Sequence, residues 1–147
     1  MPTVERTFTV DAEPSVVLRY LSDFANAEVW DPGTQRCVRQ GPGPVAVGAT
    51  WSNTSKFAGV STTLVYTLEA MEPDRLVFVG SNDTATSTDT ITVTPHGNGS
   101  RVSYRAQLEM HGLAKLAGPA VKLVFEKVAS ATRDQMIEVL NQLAVAS

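Results

Sequence analysis

The sequence predicts an α+β domain in which a curved, mostly antiparallel sheet of about seven strands wraps around one long C-terminal helix, with two short helices near the N-terminus. Two observations carry that prediction. From Thr50 to Met110 the chain divides into alternating apolar and polar segments separated by turn residues, and from Pro119 to about Val145 apolar residues recur every three or four positions. Composition agrees with this reading. A chain of 147 residues that is 43% hydrophobic can bury a core without metals or disulfides, so residues 1–147 are read as a single domain.

Val4 to Val10 alternates, with Val4, Phe8 and Val10 on one face and Arg6 an unexpected member of that apolar side. Glu13-Pro14 then opens a short helix, PSVVLRYLSDF, because proline is tolerated in a first turn and Val17, Leu18 and Leu21 fall at helical spacing. A second short helix is expected around Ala25 to Val29. The tract from Thr34 to Gly48 holds three glycines and two prolines, which leaves room for a short strand near Arg36 to Arg39 and then a turn. Five strands follow, over Thr50–Phe57, Thr62–Met71, Leu76–Gly80, Thr86–Thr94 and Arg101–Met110. The turns between them are Ala58-Gly59, Pro73-Asp74, Asn82-Asp83 and His96-Gly97-Asn98-Gly99, so the strands pair as neighbouring hairpins.

The last helix places Val121, Phe125, Val128, Ala129, Thr132, Met136, Val139, Leu140 and Leu143 on one stripe. At 1.5 Å per residue it would be roughly 40 Å long, enough to cross a sheet of several strands. Pro119 sacrifices no hydrogen bond at the start of a helix, and the residue before a proline is pushed away from helical angles. "GLAKLA" before it is therefore expected to form a separate short turn, with Gly118 as a joint that is either a gate or a fixed bend.

Several function classes are disfavoured. The net charge of -3 is scattered, and no basic stripe interleaved with aromatics marks a nucleic-acid partner. Cys37 is the sole cysteine, and the start MPTVERTFTV is too polar for a signal peptide, so the expected compartment is cytoplasmic and the N-x-[ST] matches at Asn53, Asn82 and Asn98 are read as accidental. No apolar run approaches the roughly 20 residues of a transmembrane helix. Neither metal-ligand spacing nor a phosphate-binding glycine loop occurs, so no metal or other cofactor is expected. His96 sits at a hairpin tip, and His111 follows the last strand, where it is either a hydrated strand-end residue or part of a cavity mouth.

The order strand, two short helices, antiparallel strands and long helix, together with "VDAEPSVVLRYLSD", "WDPG", "VGATW", "LEAMEPDRLVF" and "DTITVTPHGNGSRVSYRAQLEMHGLAKL", resembles the bacterial polyketide cyclase/dehydrase branch of the START-like (SRPBCC) superfamily. That resemblance implies a helix-grip fold, like that of birch-pollen-type allergens, with an apolar cavity between sheet and long helix.

Strand parity selects the cavity wall. Trp51 shares its face with Asn53, and Leu64 with Tyr66 and Leu68. Phe78 follows on the next strand. Asp89 shares its face with Ile91, and Tyr104 with Leu108 and Met110. Leu116, Val121 and Phe125 approach from the helix side. An apolar wall with a few polar points suits a hydrophobic ligand bearing hydroxyl or carbonyl groups, such as a lipid, polyketide or terpenoid.

The absence of a concentrated acid-base constellation favours a carrier or binding protein. The alternative, implied by the resemblance, is a polyketide cyclase or aromatase acting on a poly-carbonyl substrate, with Asp89, Tyr66 and Tyr104 as the catalytic groups. A co-chaperone role, as in another branch of the superfamily, lacks any sequence mark of a large protein-binding surface. Monomer and dimer both remain open.

Overall fold

A computed structural model describes residues 2–57, 59–112 and 118–146, with the side chains of Phe57, residues 118–121 and Ala146 outside that description. The elements are β1 (Thr3–Val10), α1 (Pro14–Ser22), a 3-10 turn (Phe24–Asn26), α2 (Ala27–Trp30), β2 (Thr34–Gln40), β3 (Thr50–Phe57), β4 (Val60–Met71), β5 (Arg75–Ser81), β6 (Ala85–His96), β7 (Gly99–Met110) and α3 (Gly118–Ala146). All seven strands join one antiparallel sheet in the order β1-β7-β6-β5-β4-β3-β2, so the first strand closes against the last. This is the α+β arrangement of sheet and long helix that the alternation and the C-terminal stripe predict, and the helix-grip fold that the resemblance implies.

Differences from the expected boundaries are local. Strands β4, β6 and β7 run past the apolar alternation because their ends pair through backbone hydrogen bonds that side-chain pattern does not report. The expected second helix divides into the 3-10 turn and α2. Asp23 caps the first piece by accepting a hydrogen bond from the Ala25 N–H at 3.1 Å. The long helix begins at Gly118, so Pro119 lies in its first turn, where its missing N–H costs nothing. The expected separate turn over Leu113 to Ala117, and with it the gate, lies outside the described residues.

The core forms where the inner face of the sheet meets α1, α2 and the apolar stripe of α3. Met136 and Leu140 are fully buried, as are Leu21, Trp30, Trp51, Leu68, Leu76, Phe78 and Ile91. Phe24, from the short 3-10 turn, stands at the centre of an aromatic group, with ring centroids 4.6 Å from Phe78, 4.5 Å from Tyr66 and 6.2 Å from Trp51.

Arg6, which alternation puts on the apolar side of β1, belongs to the clamp between sheet and helix. Its Nη2 donates to the Glu126 carbonyl and carboxylate and to Ser130 Oγ, all at 3.2 to 3.3 Å. The reason is reach: a long side chain on edge strand β1 extends past the apolar layer to the polar flank of α3. Asn141, which accepts from the Asp11 N–H, and Gln135, which donates to the Val29 carbonyl, fix the same helix to the ends of β1 and α2. Among the described residues no helix is long and apolar enough to cross a membrane.

Candidate functional site

Sheet curvature leaves space between α3 and one end of the inner face. A cavity of about 320 Å³ lies there. Its apolar wall comes from Val4, Leu64, Ala106, Leu108 and Met110 on the strands and from Phe125, Val128 and Ala129 on the helix. Its polar points are Asp31, Tyr66, Ser87, Asp89, Tyr104 and Thr132, with Lys56 and Thr84 toward the rim.

Strand register explains why three of the expected polar groups converge. Asp89 on β6 pairs with Ala106 on β7, and Tyr104 lies two residues back on the same face of β7, next to Ile91. Its hydroxyl donates to Asp89 Oδ2 at 3.0 Å, while Ser87 Oγ donates to Asp89 Oδ1 at 3.0 Å. Tyr66 reaches the same cluster from β4, and Ser87 lies within hydrogen-bonding reach of its hydroxyl. Trp30 packs edge-on against the Tyr104 ring, with centroids 5.9 Å apart, and holds its orientation from α2.

Burial dominates the electrostatics. It pushes the Asp89 carboxyl up to about 6, against the two hydroxyl donors that favour its charged form and with a further rise from the charge of Asp31. Burial, and then the Asp89 charge, holds both tyrosine hydroxyls well above their usual range, so they remain proton donors. The arrangement is a carboxylate that titrates near neutrality, embedded in an apolar cavity and flanked by hydroxyls that stay protonated. Such a group accepts a proton from a weak carbon or oxygen acid, and a neighbouring tyrosine can donate to the oxygen on which charge develops.

Asp31 is the polar group that sequence reasoning missed. It ends α2 in "WDPGT", accepts hydrogen bonds from the Gly33 N–H and Thr34 Oγ1 at 2.9 Å each, and is reached by the Thr132 hydroxyl from α3. Burial raises its pKa against those donors. Turn chemistry was the only local signal there, and nothing in it says that the turn faces a cavity. Ser87 was legible, since it has the parity of Asp89 two residues on.

The other expected wall residues divide by position. Leu64, Tyr66, Asp89, Tyr104, Leu108, Met110 and Phe125 border the cavity. Trp51, Asn53, Leu68, Phe78 and Ile91 are on the same face of the sheet but lie in the packed layer, because Phe24, Trp30 and Leu21 fill the space over that end. Trp51 donates its indole N–H to Asp23 at 3.1 Å, and Asn53 donates to Thr34 at 3.2 Å. Leu116 lies outside the described residues, as does the side chain of Val121. Cys37 is buried and its thiol is pushed up to about 11, chiefly by burial, which makes it a poor nucleophile. His111 bonds Thr86 Oγ1 through Nε2 at 2.9 Å, next in the chain to the lining residue Met110, and does not itself line the cavity. Among the described residues no group of His, Cys, Asp or Glu could hold a metal ion.

The family described as polyketide cyclase / dehydrase and lipid transport matches residues 1–144. The chain belongs to that family. Among solved structures, a START superfamily protein from Mycobacterium smegmatis superimposes with a TM-score of 0.79 at 16% identity, covering 96% of this chain and 98% of its own. The Zhui aromatase/cyclase from a Streptomyces species does so with a TM-score of 0.74 at 13% identity over 97% and 92% of the two chains. The di-domain aromatase/cyclase StfQ of the steffimycin biosynthetic pathway gives a TM-score of 0.71 at 16% identity, covering 98% of this chain and 51% of its own. At such identities the likeness is one of fold. No curated protein matches the sequence. The family's fold supplies a cavity suited to a hydrophobic small molecule, and this chain has one in that place.

Proposed function

We propose that this family member is an enzyme of the cyclase/dehydrase type, which uses Asp89 to move a proton on a poly-carbonyl or β-hydroxy-carbonyl substrate held in the cavity. The observation that supports it is the buried Asp89 with its two hydroxyl partners. A container for a greasy ligand gains nothing from a carboxylate at its apolar centre, and burying one costs several kcal/mol. That cost is repaid where the group acts, and a base poised near neutral pH is most effective when desolvated beside a donor. As Asp89 takes a proton from the carbon between two carbonyls, its hold on the Tyr104 hydrogen weakens. The Tyr104 hydroxyl then donates to the new enolate oxygen. The enclosing wall keeps the chain folded, so that ring closure or loss of water follows from proximity.

The test uses the elementary step. The protein is incubated with 2-tetralone in D2O and exchange of the protons beside the carbonyl is followed by NMR. Acceleration by wild type and its loss in Asp89→Asn, with affinity for the ketone nearly unchanged, supports the enzyme. Binding without any acceleration supports the carrier.

A further inference from the structure

The cavity is one-sided in its charges and in its hydrogen bonds. Asp89 and Asp31 both border it, Asp89 buried and Asp31 half-buried. The cations that the fold brings near it are committed or peripheral. Arg6 from β1 is held on Glu126 and Ser130 of α3, Arg39 lies over the Trp51 ring at 5.4 Å on β2, and Lys56 is exposed at the rim. Among the described residues no buried cation faces the cavity.

Four hydroxyl donors around the two carboxylates are likewise committed. Ser87 and Tyr104 direct their protons to Asp89, and Thr34 and Thr132 direct theirs to Asp31. Each carboxylate oxygen can accept two hydrogen bonds. Asp89 Oδ1 and Oδ2 take one each within the protein. Beside the two carboxylates the wall therefore offers a ligand mainly acceptance, with the Tyr66 hydroxyl as a further donor. It has room for donors from the ligand, and the cation among its described lining residues, Lys56, is exposed at the rim.

We infer that this cavity selects neutral, hydrogen-bond-donating ligands and rejects carboxylates, so that free fatty acids and other organic anions are excluded from it. The inference rests on the reading of the cavity as the ligand site, and does not depend on turnover. A ligand carboxylate would lose its hydration on entry and meet like charges in a medium of low dielectric, where repulsion is many times stronger than in water. A phenol, an enol or an amide of the same shape would instead donate to Asp89.

Two probes of almost identical shape isolate the charge: naphthalene-2-carboxamide and naphthalene-2-carboxylate. Calorimetric titration at pH 7.5 should show the carboxamide binding at least about tenfold more tightly, a difference of about 1.4 kcal/mol. At pH 5.5, where Asp89 gains a proton while Tyr66 and Tyr104 keep theirs, the gap should narrow severalfold. Asp31 shares the cavity, Lys56 borders its rim, and Glu126 lies outside it on Arg6. Asp31→Asn and Asp89→Asn should each narrow the gap at pH 7.5, and reading both variants guards against one that fails to fold. Equal affinities, a tighter carboxylate, a gap indifferent to pH and to both substitutions, or no binding of the carboxamide overturns the inference. Selective binding by a protein that never exchanges the tetralone protons would leave charge selection standing and remove the enzymatic reading. Exchange by a protein that takes both probes equally would do the reverse.

Discussion

Gly80 lies directly beneath the ring of Tyr66: a Cβ at Gly80 would stand 2.7 Å from three of its ring carbons. The two residues are cross-strand partners on β5 and β4, and the missing side chain is what allows the ring to lie across the neighbouring strand. Gly80→Ala should therefore push the ring upward, costing about 1 to 3 kcal/mol by overpacking and narrowing the cavity. Combining it with Tyr66→Ala should recover much of that cost. Urea denaturation of the two single variants and the double variant measures the coupling, and purely additive losses would show that the ring is not held by this contact.

Stability should fall as pH rises through the titration of Asp89. Its carboxyl is raised from 3.8 to about 6 in the folded chain, so below about pH 4 it is protonated in both states and carries no penalty. Between about 4 and 6 the unfolded chain releases this proton while the folded one retains it, and folding loses on the order of 3 kcal/mol before levelling off. Asp31 is raised in the same direction and adds to the trend. Urea midpoints of wild type and Asp89→Asn between pH 4.5 and 7.5 should differ in slope, with the variant flatter. Parallel curves would mean that Asp89 does not titrate in that interval.

The rate of proton exchange should follow the opposite limb. A base works in its ionised form, so activity should rise with pH through about 6 and then plateau, because the tyrosine hydroxyls stay protonated well beyond neutrality. Tyr104→Phe should lower the plateau and also raise the inflection, since the carboxylate loses a donor that favours its charge. An inflection left in place would show that the hydroxyl does not reach Asp89 in solution.

On α3, Leu140 is fully buried, while Leu143 is only partly covered. Leu140→Ala should cost about 2 to 5 kcal/mol and Leu143→Ala less, and Leu140→Asp should abolish folding. Thermal unfolding ranks them. Equal losses at both positions would place the helix in a different rotation on the sheet.

Alternation from Thr50 to Met110 and the stripe from Val121 to Leu143 determine the fold without reference to anything distant, because each reports which side of a strand or helix must leave water. The same parity puts Tyr66, Asp89 and Tyr104 on one face, and their meeting follows from the hairpin order. Parity cannot tell a wall from a floor. Trp51 and Phe78 have the same inward direction as Leu64 and Leu108, yet Phe24 covers the first pair and leaves the second facing open space. That choice rests on where a three-residue 3-10 turn lands on a sheet formed much later in the chain. Asp31 and Arg6 are decided in the same way. One gains its place in the cavity from a turn reached by Thr132, and the other leaves the apolar face of its strand for a partner 120 residues away, so only the packing of distant segments assigns their roles.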